Sequence, residues 1–254
     1  MKDIIKLPKF FRPNYSTELI RIGLKNDGSY LIPKKSLELT KKLFSFGMEL
    51  DWSFEEDFYN RTKCKIYCYD HTVDWKLFVK RSIKSPNTLL KFVQYKKFFD
   101  YKNKFHIKKQ VFPSDTFNLS KKNVSYIDPN QIFIDEIGKL SFLKIDIEGD
   151  EYRILDQIVK YSDKINTLII EFHHVDLHIE KIKEFIDKID LNLVHLHVNN
   201  FSNLNQFDLP QTLELIFCHK DFSKINKNEN INYPLSIDQP NNPEFKDLPI
   251  YFEN

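Results

Sequence analysis

A chain of 254 residues, 41% of them hydrophobic, is long enough to bury one large α/β core, and it contains no apolar run of about 18 residues that would read as a membrane span. No apolar segment resembling a secretory leader follows Met1–Lys6, so a cytoplasmic protein without a transmembrane segment is expected. Cys64, Cys68 and Cys218 cannot all pair with one another and lack common zinc or redox spacing, which leaves buried free thiols as the expectation.

From residue 1 to 42, prolines 8, 13 and 33 alternate with Leu19–Ile22 and Tyr30–Ile32. This predicts short extended pieces and then a helix from Ser36, a cap ahead of the main sheet. Lys42–Phe46 reads as a strand, Gly47–Ser53 as a turn, Phe54–Asn60 as a helix and Lys65–Tyr69 as a second strand ending at Asp70. That is one βαβ unit.

Lys76–Gln110 carries eleven Lys or Arg and a single acid, Asp100, so this stretch is +10 and the remainder is −8. Phe78, Phe92, Tyr95, Phe98, Phe99, Tyr101 and Phe105 interleave with its basic residues. Residues 76–110 therefore read as a basic-aromatic insertion suited to a nucleotide-sugar diphosphate, a nucleic acid or a membrane face. Amphipathic helices with solvated lysines around an aromatic stripe explain the same composition.

Leu140–Ile147, Thr167–Phe172 and Leu193–Val198 follow as strands, separated by helices at Glu151–Tyr161 and His178–Ile189. Strands alternating with helices predict a mostly parallel central sheet with helices on both faces, in a single domain over 1–254. The tail from Asp221 lacks glycine, yet Tyr233, Leu235, Ile250, Tyr251 and Phe252 would be costly to expose, so it is expected to be irregular but packed.

The chemistry concentrates at strand ends. In Phe142–Glu148 alternation puts Asp146 and Glu148 on one face and Ile145 and Ile147 on the other, and Gly149 then lets the chain turn into a helix whose first turn holds Asp150 and Glu151. Gly47 closes the first strand of the βαβ unit, and Asp70, at the end of the next, stands where an acid commonly bridges ribose hydroxyls. Glu49 replaces the second glycine expected of a pyrophosphate site; Glu49, Asp51 and Glu55 suit a cationic ligand such as S-adenosylmethionine better. Glu171 and His173 share one strand face, as do His195 and His197. If these strands neighbour that of Asp146, their ends gather Asp146, Glu171, His173 and His197 in one cleft suited to a general base or a divalent metal. Each histidine taken singly reads first as a hydrogen-bonded strand-end residue.

Leu143-Lys-Ile-Asp-Ile-Glu-Gly-Asp-Glu151 resembles the signature of the FkbM family of S-adenosylmethionine-dependent methyltransferases. Arg21–Tyr30, Phe44–Glu55, Ile170–His173 and His195–Phe201 support the likeness in order along the chain. The resemblance implies a Rossmann-like methyltransferase fold and methyl transfer, usually to a hydroxyl of a sugar or polyketide. It implies the methionine portion at Gly47, the ribose at Asp70 and the reactive methyl near Asp146. His173 or His197 would act as base, or Asp146, Glu171 and His173 would bind a divalent ion, magnesium or manganese. The expected partner is a sugar or nucleotide-sugar for surface polysaccharide. RNA methylation and a silent binding module are the rivals, with nucleic acid the disfavoured partner.

Overall fold

The computed structural model describes residues 4–25, 27–48, 51–70, 106–108, 110–111, 125–126, 137–202, 204–226 and 231–253. The greater part of the basic-aromatic stretch 76–110, and Glu49, lie outside them. The chain opens with β1 (Ile5–Pro8), β2 (Tyr15–Ser16), the hairpin of β3 (Leu19–Ile22) and β4 (Tyr30–Pro33), and helix α1 (Lys34–Leu39). The βαβ unit follows as β5 (Lys42–Phe46), α2 (Ser53–Thr62) and β6 (Lys65–Tyr69). Strands β7 (His106–Lys108), β8 (Gln110–Val111) and β9 (Ser125–Tyr126) precede β10 (Ser141–Ile145). Then come α3 (Leu155–Lys160), β11 (Ile165–His173), α4 (Val175–Lys188), β12 (Asn192–Val198), β13 (Thr212–Cys218), β14 (Lys224–Ile225) and β15 (Ile250–Glu253).

Seven strands form the central sheet in the order β12-β13-β11-β10-β5-β6-β7. The run from β11 to β7 is parallel, and β13 lies antiparallel to both of its neighbours. This is a Rossmann-like α/β sheet. Strands β5, β10, β11, β12 and β13 are buried on both faces nearly throughout, which explains their largely apolar composition. On one face Leu143, Ile145, Leu168, Ile170 and Phe172 pack against Leu155 and Ile158 of α3 and Ile182 and Phe185 of α4. On the other, Leu43, Phe142 and Ile169 meet Phe54 and Phe58 of α2 and Ile22, Tyr30 and Ile32 of the hairpin. The chain leaves β5 and β10, which are adjacent, toward opposite sides, so their carboxyl ends open a crevice where ligands of such sheets sit.

Several expectations are corrected. The strand expected to reach Ile147 stops at Ile145, and Glu148 adopts a left-handed φ of 57°. The helix expected over Glu151–Tyr161 is broken: a 3-10 turn spans Glu151–Arg153, Ile154 is non-helical, and α3 begins only at Leu155. The cause is local, because the Glu151 carboxylate bends back onto the amides of Ile147 and Gly149. Strand β13 was not anticipated, and it separates β12 from β11. In the tail, Tyr233 is buried and Leu235, Ile250 and Phe252 are partly so, while Tyr251 is exposed. β15 pairs in parallel with β1, placing Ile250 beside Ile5.

Candidate active site

At the end of β5 the chain turns through Gly47, whose φ is 78°. A Cβ there would lie 1.6 Å from the carbonyl oxygen of Asp146, so β5 and β10 meet backbone to backbone. The turn is pinned on two sides. Asp70, buried at the end of β6, accepts the Met48 amide at 2.8 Å. Lys144, 4% exposed in the middle of β10, donates to the Gly47 carbonyl at 2.9 Å and lies 3.5 Å from Glu55. Burial disfavours the Lys144 ammonium, but Glu55 and Asp146 outweigh that and raise its pKa. Glu55, expected among acids facing a cationic ligand, is instead fully buried and takes Lys144 and the Ser45 hydroxyl as partners. Asp51 accepts the Ser53 amide at 2.9 Å at the start of α2. Replacing Gly47 by Ala should force β5 and β10 apart, and we expect S-adenosylhomocysteine binding, followed by calorimetry, to weaken at least tenfold.

One strand further along, β11 brings Glu171 and His173 beside Asp146. The Tyr30 hydroxyl reaches Asp146 Oδ2 at 3.4 Å and Glu171 Oε2 at 3.3 Å, and Asn199 donates to Glu171 Oε1 at 2.9 Å. His173 Nδ1 is 3.0 Å from Glu151 Oε1, and the same buried carboxylate accepts the amides of Ile147 and Gly149. The other ring nitrogen, Nε2, lies 3.6 Å from Glu148 and 3.9 Å from both Asp146 and Glu171. Tyr152 accounts for the remaining support, donating to the His173 carbonyl at 2.6 Å.

Crowded carboxylates set the protonation states. Burial pushes the Asp146 carboxyl up to about 6, against the opposing pull of Lys144 and His173. Burial, with the charges of Asp146 and Glu214, raises the Glu171 carboxyl well above the usual carboxylate range. For His173 burial acts downward, yet the bond to Glu151 and the charges of Glu151, Asp146 and Glu148 prevail and raise its pKa above 6.5.

His197 lies elsewhere. β13 intervenes, with Glu214 in register with Glu171 on one side and His197 on the other. His197 Nε2 is 3.1 Å from Asp247 and Nδ1 is 3.5 Å from Glu214. Burial opposes its charge, but these acids hold the proton and raise the pKa to about 10. An imidazolium with both nitrogens engaged offers no lone pair to a substrate, whereas His173 does so through Nε2 whenever it is neutral. His195, the other histidine of β12, is buried and bound to Asp238 at 3.0 Å.

The structure thus brings Gly47, Asp70, Asp146, Glu171 and His173 to one edge of the sheet. Sequence reasoning missed Tyr30, Lys144, Asn199 and the part played by Glu151. Lys144 carried a signal, as the lone charge in the strand Ser141–Ile145. Tyr30 carried none.

A model of the methyltransferase FkbM domain matches residues 6–207. The chain belongs to the FkbM methyltransferase family. It is an S-adenosylmethionine-dependent methyltransferase with a Rossmann-like fold, and the FkbM signature spans β10, the Asp146–Gly149 turn and Glu151. No curated protein matches it in sequence. Among solved structures it is similar to the fibrillarin pre-rRNA processing protein of Methanococcus jannaschii, at 8% identity and a TM-score of 0.41, over 82% of this chain and 84% of that one. An S-adenosylmethionine-dependent methyltransferase from Clostridium acetobutylicum aligns at 10% identity and a TM-score of 0.40, over 73% and 87% of the two chains. TrmK of M. capricolum, in complex with S-adenosylhomocysteine, aligns at 12% identity and a TM-score of 0.38, over 77% and 70%.

Proposed function

We propose that this FkbM protein methylates a hydroxyl of a sugar, either a nucleotide-activated sugar or a surface-polysaccharide precursor. The observation that carries the reading is the Glu151–His173 pair beside Asp146, an oriented imidazole at the carboxyl edge of the sheet. S-adenosylmethionine, when bound, supplies a methyl group already activated on a sulfonium. The protein is left to align the acceptor oxygen and remove its proton.

Gly47, Asp51, Asp70 and Asp146 hold the cofactor in this reading; Glu49, assigned with them from the sequence, lies outside the described residues. The bare Gly47 turn lets a ligand approach the backbone, and the acidic edge favours a cation. His173 takes the acceptor proton at Nε2. Its Nδ1 keeps its proton and donates it in a hydrogen bond to Glu151, whose charge stabilises the imidazolium that forms. His197 is assigned to the scaffold. Residues 1–254 are read as one domain, with 1–42 a cap whose hairpin lays Tyr30 over the site. A cytoplasmic setting accords with three free cysteines, two of them buried; among the described residues no helix is long and apolar enough to cross a membrane.

A second reading rests on one observation: ligand atoms of Asp146, Glu171 and His173 all lie within 4.8 Å of one another. Two carboxylates and an imidazole suit magnesium or manganese, and Glu151 would orient the histidine ligand. Such an ion would lower the pKa of an acceptor hydroxyl held at that edge. His173 cannot be ligand and base at once. Under the leading reading, turnover should therefore persist after exhaustive chelation; loss of turnover restored by magnesium or manganese would transfer the role to the metal.

The test is transfer of labelled methyl from S-adenosylmethionine to free sugars, nucleoside-diphosphate sugars and RNA. Label in a sugar hydroxyl is the expected result. Label in RNA alone, or cofactor binding without transfer to any acceptor, would overturn the reading.

A further inference from the structure

A cavity of ≈ 890 Å³ opens at the end of β12, between the loop after that strand and the carboxyl-terminal tail. That is within the range of about 300–1,000 Å³ typical of small-molecule sites. Its walls include Phe201, Ser202, Asn242, Phe245, Lys246 and Asp247.

The cavity is tied to the site by consecutive residues. Asn199 holds Glu171 at 2.9 Å, and Asn200, Phe201 and Ser202, next in the chain, line the cavity. On the opposite wall Asn241 donates to Glu214 at 2.9 Å, and Asn242 follows it into the lining. Asn200 joins the two walls. Its side chain donates to the carbonyls of Asn242 at 3.1 Å and Phe245 at 3.2 Å and accepts the Asn242 amide at 2.6 Å. Phe201 and Phe245 are thereby presented from a braced loop pair, yet they are 57% and 61% exposed.

The lining decides the ligand class. A purely apolar ligand would strip water from Asp247, Asn242 and Lys246 without replacing their hydrogen bonds, at a cost per group. A polyanion would meet two aspartates, Asp208 and Asp247, against two cations, Lys246 and the imidazolium of His197, the latter already bound to Asp247, so no excess of positive charge draws it in. A pyranose meets both demands, because its C–H face packs on an aromatic ring while its hydroxyls bond to carboxylate, amide and ammonium. We propose that this cavity binds a pyranose unit of the saccharide acceptor. Its role as acceptor site rests on the methyl-transfer reading above; its ability to bind a pyranoside does not.

Saturation-transfer NMR with the methyl pyranosides of glucose, galactose, mannose, fucose and N-acetylglucosamine tests this, with S-adenosylhomocysteine titrated into the same samples by calorimetry. At least one pyranoside should receive saturation on one ring face. Its affinity should fall at least tenfold in Phe201→Ala and Phe245→Ala, which are exposed enough to leave folding intact, while S-adenosylhomocysteine affinity is unchanged. Binding of no pyranoside, or equal binding by both variants, overturns the inference even if S-adenosylhomocysteine binds. Pyranoside binding lost in the variants, without S-adenosylhomocysteine binding, upholds the cavity and sinks the methyl-transfer reading instead.

Discussion

Replacing His173 by Gln should lower turnover about 10²–10⁴-fold, the usual worth of a general base, and leave S-adenosylhomocysteine affinity unchanged. The pH profile carries the sharper information. His173 must be neutral to accept a proton, and Glu151, Asp146 and Glu148 raise its pKa above 6.5. Wild-type kcat/KM should therefore climb with pH along a limb centred above 6.5, and that limb should vanish in His173→Gln. Glu151→Gln preserves an oxygen for the amides of Ile147 and Gly149 but removes the charge that favours the imidazolium. Its limb should move to lower pH while the maximal rate falls about 10–100-fold. An unshifted limb in Glu151→Gln would reduce Glu151 to a loop cap and leave His173 without its proposed partner. The measurement is kcat/KM between pH 5 and 9 on the sugar that the labelling screen identifies.

His197→Ala should cost about 3–5 kcal/mol of folding stability at pH 7, because it leaves Asp247 and Glu214 as buried acids without their cation. The pH dependence again decides the cause. A histidine raised from 6.5 to about 10 in the fold contributes stability that is fully present below pH 6.5 and is lost as pH rises through 10. Urea denaturation of wild type and variant should accordingly diverge most near pH 6 and converge by several kcal/mol toward pH 10. A constant gap would mean that His197 contributes by packing alone. The kcat of the folded variant, measured at low temperature with saturating acceptor, should remain within about tenfold of wild type, as befits a scaffold cation two strands from His173.

Much of the sheet was legible. Lys42–Phe46 and Lys65–Tyr69 are the strands that their composition announces, and Gly47 sits at a turn where a Cβ would collide with backbone. The facing of Glu171 and His173 follows from strand alternation, and parallel pairing of β10 with β11 carries them to Asp146. Other features were hidden for physical reasons. Thr212–Cys218 is buried on every residue, and only Thr212 and Glu214 alternate with apolar neighbours before the pattern runs apolar through Ile216–Cys218, too short a polar face to mark it as a strand. Glu151 read as an acid at a helix start; its use as a clamp on the preceding turn and on His173 depends on where β11 ends.

Local rules acting on the sequence alone determined the strand–turn–helix chemistry of this FkbM methyltransferase: alternation sets the faces, glycine permits the turn, and acids collect at strand ends. Only the tertiary structure decided which of those groups meet. Insertion of the antiparallel β13 between β11 and β12 moves His197 away from His173 and gives it to Glu214 and Asp247. Tyr30 reaches Asp146 across 116 residues of chain, and no local periodicity encodes such a pairing, because strand order rather than sequence distance sets which carboxylates crowd together and which histidine keeps a lone pair.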